Sequence, residues 1–164
     1  MIWMTADHHF GHSNICRHAN RPFASVREMN EALTDYWNEC VAPKDIVWHL
    51  GDFSWRPPGA YLQHLNGKIH LVRGNHDKYN KGNQSLFAGY HEVYDLKYMG
   101  KRIWLSHYAH RAWPAKHHGS YHCYAHSHGN LEPYGRSMDV GVDCWDYRPI
   151  SIDQVVSILQ NKEQ

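Results

Sequence analysis

Residues 69–77 read IHLVRGNHD, a short apolar, β-like run over 69–72 that gives way to Gly74-Asn75-His76-Asp77. The same arrangement recurs along the chain. Asp7-Xaa-His9 follows the run Ile2–Thr5, Gly51-Asp52 follows 46–50, Ser106-His107 follows 103–105, and His126-Xaa-His128 follows 123–125. Each cluster is therefore expected at the carboxyl end of a strand, and strand ends converge on one rim of a sheet. A lone histidine is ordinarily a surface or satisfied core residue. Five ordered clusters of Asp, Asn and His after five strands point instead to a metal site.

The segments between the clusters support a sheet with crossovers. Ser25 and Glu28 form a capping-box pattern for a helix over 26–41, in which Val26, Met29, Leu33, Tyr36 or Trp37, and Cys40 share one face and Pro43 helps end the helix. A strand through Trp48, a turn at Pro57-Pro58-Gly59, a short helix over 60–65 and a strand over 68–72 complete a β-α-β-α-β pattern, which implies parallel strands. The second half changes character. Strands over 92–99 and 102–106 around Gly100-Lys101 suit a hairpin, with further strands over 122–125 and 137–142. A last helix starts at Ile152 behind Ser151, with Gln154 completing a second capping box and Val155, Ile158 and Leu159 turned inward.

At 164 residues the chain fits one domain, 1–164, with enough length for a core that needs no disulfides. A formal net charge of +1 gives no global field for nucleic acid or membrane, so any charge-based recognition is local. Cys16, Cys40, Cys123 and Cys144 form no Cys-Xaa-Xaa-Cys pair and read as buried free thiols. The chain opens directly into a candidate strand and holds no apolar run of membrane-spanning length, so a cytoplasmic setting is expected, the host cytoplasm if the protein is phage-encoded. No protein partner is evident, and the sequence leaves the oligomeric state open.

The order Asp-Xaa-His, Gly-Asp, Gly-Asn-His-Asp, His, His-Xaa-His resembles the calcineurin-like metallophosphoesterase superfamily over almost the whole chain. The phrases TADHHFGHSNI, NRPF and DVGVDCWDYRPIS are similar to its small, single-domain bacterial and phage-type members. The resemblance implies an α/β (α+β) fold, a β-sandwich of two mixed sheets flanked by helices with the metals at one sheet edge. It also implies a ligand set. Asp7, His9 and His128 would hold one divalent cation, Asn75, His107 and His126 the other, and Asp52 would bridge, with a hydroxide between the metals attacking phosphorus in line. His76 matches the position that protonates the leaving oxygen, so His76 and Asp52 are the expected catalytic residues. Carboxylate, imidazole and amide without thiolate suit two divalent ions from among Mn, Fe, Zn, Co and Ni. Two such ions less Asp7, Asp52 and a hydroxide leave about one positive charge, complementary to an anionic phosphoester, monoester or diester.

Two positions depart from the family pattern. Trp55 stands where many members carry an aspartate that orients the catalytic histidine, leaving Asp77 as the candidate substitute. Ala125 replaces the glycine before His-Xaa-His, a change that removes no ligand. His8 should turn away from the site by strand alternation. His12 and Asn14 share the first loop and are candidates for phosphate contact or for structural hydrogen bonding. Arg56, Arg21 and Arg73 are the arginine candidates, Arg56 foremost. With Asn75, Arg56 and His12 form the candidate substrate-binding set.

Between His107 and His126, the cations Arg111, Lys116, His117 and His118 interleave with Trp113 and Tyr121, a segment expected to border the cleft and able to grip phosphates and stack bases. Lys78 and Lys81 add local positive charge. Without a cap the cleft should be shallow and open, which favours exposed diesters and makes a nucleotide-directed phosphodiesterase the leading reading. The alternatives are a phosphomonoesterase and a non-catalytic metal-containing binding protein. Metallo-β-lactamase-type and amidohydrolase enzymes begin their metal sets with His-Xaa-His, unlike this chain.

Overall fold

The computed structural model describes residues 1–163. Strands β1 (Ile2–Thr5), β2 (Ile46–His49), β3 (Lys68–Val72) and β4 (Gly89–His91) run parallel in the order β4-β3-β2-β1. In the second sheet β5 (Tyr94–Tyr98) pairs antiparallel with β6 (Lys101–Leu105), and β6, β7 (Tyr121–Tyr124) and β8 (Ser137–Asp139) run parallel. A two-residue strand, β9 (Ile150–Ser151), closes the first sheet antiparallel to β1. Each sheet thus has a parallel body and one antiparallel edge, and helices flank them, the expected α/β sandwich of two mixed sheets.

Period-two alternation builds the layers. On β2, Val47 faces an outer core with Met29, Leu33 and Trp37 of helix α2 (Val26–Cys40), after the short α1 (Ile15–His18). Its neighbour Trp48 faces the inner core between the sheets, with Met4, Ile103, Leu105 and Cys123. Slipping β2 by one residue would exchange these sets, so burial on both faces fixes the register. Later come α3 (Gly59–Leu62), α4 (Lys81–Gln84) and α5 (Ile152–Gln160), the last burying Ile152, Val155 and Leu159 in the inner core. Ile158 is only partly buried there.

Both long helices start where expected. At α5, Ser151 Oγ accepts from Gln154 N–H and Gln154 Oε1 accepts from Ser151 N–H, a reciprocal capping box. At α2, Ser25 Oγ accepts from Glu28 N–H, but the Glu28 carboxylate reaches past Ser25 to Ala24 N–H, so that box is not reciprocal. The hairpin turns on Met99-Gly100 rather than Gly100-Lys101. Both turn residues have positive φ, 45° and 75°, as a two-residue primed turn requires, and Lys101 already pairs with Tyr98. The strand expected over 137–142 stops at Asp139, and the chain continues through a bridge from Gly141 to Ala6. All four cysteines are free, but only Cys123 is fully buried, the others standing at half-buried edges. Among the described residues no helix is long and apolar enough to cross a membrane.

Candidate metal centre

The five clusters lie just beyond β1, β2, β3, β6 and β7, and the loops carrying them are tied by backbone hydrogen bonds. Asp7 N–H donates to Gly51 O at 3.0 Å, His9 N–H to Asp52 O at 2.9 Å and Phe10 N–H to Phe53 O at 3.0 Å, so the loops after β1 and β2 run as a ladder past the sheet edge. Gly51 and Gly74 permit the close approach of the next loop. A Cβ on Gly74 would lie 2.3 Å from Asp52 Oδ1, and one on Gly51, at φ +101°, would lie 2.6 Å from Gly74 N.

These loops bring two groups of side chains together. The ligand atoms of Asp7, His9 and His128 lie within 4.8 Å of one another, as do those of Asp52, His107 and His126. Asn75 joins the second group, its Oδ1 3.0 Å from His107 Nε2. Asp52 stands between the groups, with Oδ2 3.6 Å from His9 Nε2, 3.5 Å from His107 Nε2 and 4.0 Å from His76 Nε2. All eight residues singled out from the sequence, the seven candidate ligands and His76, therefore occupy one rim.

Each carboxylate is fixed through one oxygen and presents the other. Asp7 Oδ2 accepts from His126 N–H at 2.9 Å, and Asp52 Oδ1 accepts from His76 N–H at 2.9 Å. The histidines are oriented similarly. His107 Nδ1 meets Leu50 O at 2.8 Å and His128 Nδ1 meets Asp143 Oδ2 at 2.7 Å, which assigns the proton to Nδ1 and aims Nε2 inward.

The unpaired atoms fit a cation. Asp7 Oδ1 and His9 Nε2 are buried without any hydrogen-bond partner, a costly arrangement unless something binds there. Burial, with repulsion from Asp52 and Asp139, pushes the Asp7 carboxyl up to about 7 against the attraction of His128 and His107, so its charged form lacks a counter-ion. Burial drives the His9 imidazole down to about 2, leaving it neutral, so its 3.6 Å approach to Asp52 is not an ion pair. Burial also acts against the Asp52 carboxylate, yet the hydrogen bond and charge of His107, with the hydrogen bond from His76 N–H, hold it well below the usual range. The donor set of carboxylates, imidazoles and an amide without thiolate suits borderline divalent ions.

The backbone is strained at these positions. Asp7, His9, Asp52, His126 and His128 all have φ between 47° and 69°. Left-handed conformations in non-glycine residues cost about 1 to 3 kcal/mol each and cluster at functional sites. Asp and His tolerate this region better than bulkier residues.

Several weaker expectations are corrected. Asp77 does not orient His76. Its buried carboxylate accepts from Asp52 N–H at 2.8 Å, Phe53 N–H at 2.9 Å and Gly74 N–H at 2.9 Å, because the turn at 74–77 sends it back against the β2 loop. The rings beside His76 are aromatic instead, Trp55 at 5.2 Å and His9 at 5.4 Å. Arg21 is no phosphate contact. It is buried, pairs with both Asp143 oxygens and donates to the carbonyls of Asp7 and His8. Arg73 is spent on Glu92, and Asn14 gives its N–H to His12 Nδ1. His8 turns away as expected, onto His49 at 2.9 Å.

His12 stays at the rim, 5.7 Å from His9. Arg56 is exposed beside Gly11, and among the described residues no carboxylate pairs with it. Four residues of the segment between His107 and His126 are engaged elsewhere. Arg111 and Lys116 lie 4.3 and 3.7 Å over the Tyr134 ring, while Trp113 and Tyr121 are buried. Its first residue, Tyr108, stands at the site, with its ring 4.6 Å from His126. Asp143, which steadies His128, was not singled out from the sequence. Its signal was its place in the quoted stretch DVGVD, after a strand that pairs with β7.

Residues 2–136 match the family model described as the calcineurin-like phosphoesterase superfamily domain. An uncharacterised protein of Methanocaldococcus jannaschii, MJ1445, is 32% identical over 171 aligned positions, covering 97% of this chain and 91% of that one. The gene 66 protein of Mycobacterium phage D29 is 34% identical over 83 residues, 47% of this chain and 40% of its own. Among solved structures, the protein of unknown function AQ665 from Aquifex aeolicus has the same fold, with a TM-score of 0.75 at 24% identity over 96% of this chain and 98% of that one.

Proposed function

The chain belongs to the calcineurin-like phosphoesterase superfamily, and from that premise we propose that it is a single-domain phosphodiesterase, dependent on two divalent metal ions, that hydrolyses nucleotide or nucleic-acid-type phosphoesters. The observation that carries this reading is the pair of ligand groups, each within 4.8 Å, facing one another across Asp52. Asp7, His9 and His128 would hold one cation, Asn75, His107 and His126 the other, and Asp52 both, with Mn, Fe, Zn, Co and Ni as the candidates. When bound, the cations would supply an activated water and positive charge to offset the negative charge developing on the phosphoryl oxygens.

The chain's own residues do the rest. Asp52 keeps its charge chiefly through His107, and the hydrogen bond from His76 N–H holds its position. His76 is suited to give the Nε2 proton to the departing ester oxygen as the P–O bond breaks, since its side chain is 35% exposed while Asp52 is 3% exposed. The site is open at His76 and at the exposed His126, and a leaving group would sit on the His76 side. His12, at that rim, and Arg56, beside Gly11 of the same loop, are the candidates for holding the substrate phosphate. An open rim favours a diester, whose two substituents must both extend from the site.

Metal-stripped protein resupplied with manganese should hydrolyse bis-p-nitrophenyl phosphate faster than p-nitrophenyl phosphate, and Asp52→Asn should abolish both activities. Absence of turnover with every candidate metal would sink the reading. Faster monoester turnover would establish a phosphomonoesterase.

A further inference from the structure

Two large aromatic side chains at the rim of the site stand half in solvent, Trp55 at 54% and Tyr108 at 50% exposure. The Trp55 ring lies 4.3 Å from His12 and 5.2 Å from His76, on the side where His76 would release a leaving group. The Tyr108 ring lies 4.6 Å from His126 and 5.1 Å from His107, beside the other ligand group. A third exposed ring, Tyr134, is covered by Arg111 and Lys116, whereas no cation lies over Trp55 or Tyr108 among the described residues.

We propose that Trp55 and Tyr108 are stacking platforms on either side of the reacting phosphate, and that the substrate is a phosphodiester with a nucleoside on each side. This rests on the phosphodiesterase reading above and narrows it. Aromatic faces accept any base, so two flanking rings select for nucleosides without selecting a sequence. A monoester or an alkyl diester leaves at least one ring uncovered. Hydrolysis adds water across one P–O bond: the water oxygen stays on phosphorus, and His76 protonates the oxygen of the leaving nucleoside. The products are one nucleotide, retained beside Tyr108, and one nucleoside, released past Trp55.

The test compares wild-type protein with Trp55→Leu, Tyr108→Leu and Trp55→Phe. Their KM values are measured on a dinucleoside monophosphate, a single-stranded oligonucleotide and glycerophosphoethanolamine, each with manganese. Binding of a non-hydrolysable dinucleoside methylphosphonate is followed by calorimetry. Each leucine variant should raise KM and weaken analogue binding about 5- to 150-fold for the base-bearing ligands, with much smaller change for the glycerol diester. Trp55→Phe should restore most of the difference. Equal changes on all three substrates, or none, would overturn the stacking assignment even while Asp52-dependent diester turnover persists. If no ester is turned over, the phosphodiesterase reading fails by itself, and unchanged analogue binding in the leucine variants then overturns the platforms too. Cleavage of the dinucleotide alone identifies a small-molecule substrate, and cleavage of both identifies single strands as substrates.

Discussion

Replacing Asp143 with asparagine tests whether the centre is held from behind. The Asp143 carboxylate meets three nitrogens of two side chains: Oδ2 meets His128 Nδ1 at 2.7 Å and an Arg21 terminal nitrogen at 2.8 Å, and Oδ1 meets Arg21 Nε at 2.8 Å. Burial opposes its ionisation, yet the bonds and charges of His128 and Arg21 hold it down at about 2. An amide keeps the shape but turns one acceptor into a donor. If the new NH2 faces His128, the imidazole must lose that bond or move its proton to Nε2, the nitrogen aimed at the metal. If it faces Arg21, two donors confront each other. Loss of such an outer hydrogen bond typically weakens metal binding 10- to 100-fold, about 1.4 to 2.7 kcal/mol. Arg21 keeps its bonds to the carbonyls of Asp7 and His8, so the fold should lose only about 1 to 3 kcal/mol. Titration calorimetry with manganese should therefore show weakening confined to one of two sites, the one containing His128. Unchanged affinity at both sites in a folded Asp143→Asn protein would refute the role given to this carboxylate.

Asp77→Ala strands three buried N–H groups and should cost about 3 to 5 kcal/mol, read as a lower urea midpoint; a loss under about 1 kcal/mol would mean that water replaces the carboxylate. Manganese at about 100 times its dissociation constant should add about 2.7 kcal/mol, raising Tm by roughly 5 to 10 °C. A chelator should reverse that rise and Asp52→Asn should blunt it, and an unchanged Tm would argue against a cation in the fold. Burial lowers the His122 imidazole to about 4, and its Nε2 accepts from His110 N–H at 2.9 Å, so protonation breaks that bond. Because the folded value lies below the unfolded value of about 6.5, this contribution is complete above pH 6.5 and is lost as pH falls towards 4, at most about 3 kcal/mol. Urea midpoints of wild type and His122→Asn should therefore converge on acidification, and parallel curves would exclude His122 as a cause.

The rim was legible because every candidate ligand sits within a few residues of a strand end, where short-range pattern and chain order suffice. The caps were legible for the same reason, since Ser151 and Gln154 bond each other across one helical turn. What escaped depended on long-range or backbone facts. Arg21 and Asp143 are 122 residues apart and meet only because β8 joins the second sheet. Asp77 adjoins His76, but the local turn sends their side chains opposite ways, and adjacency misled. β4 and β9, three and two residues long, exist through pairing with β3 and β1 and are too short to show any periodicity.

The strained backbone ties these observations together. Ten described non-glycine residues have positive φ, and five of them are candidate ligands, so the strain is concentrated where the side chains converge. Such conformations persist only where their surroundings over-determine them. Here the N–H groups of Asp7, His9 and Asp52 are spent on Gly51 O, Asp52 O and Asp77 Oδ2, and that of His126 on Asp7 Oδ2. Relaxing any of these four ligands to ordinary dihedrals would break a hydrogen bond of comparable worth. The ligand geometry is therefore a property of the folded chain, and bound cations would find Asp7 Oδ1 and His9 Nε2 already desolvated and in place. That separates this centre from small metal-nucleated domains, in which the ion supplies the folding energy: here the two cores and the strand register hold the loops, and the cations would relieve a cost that the fold already carries.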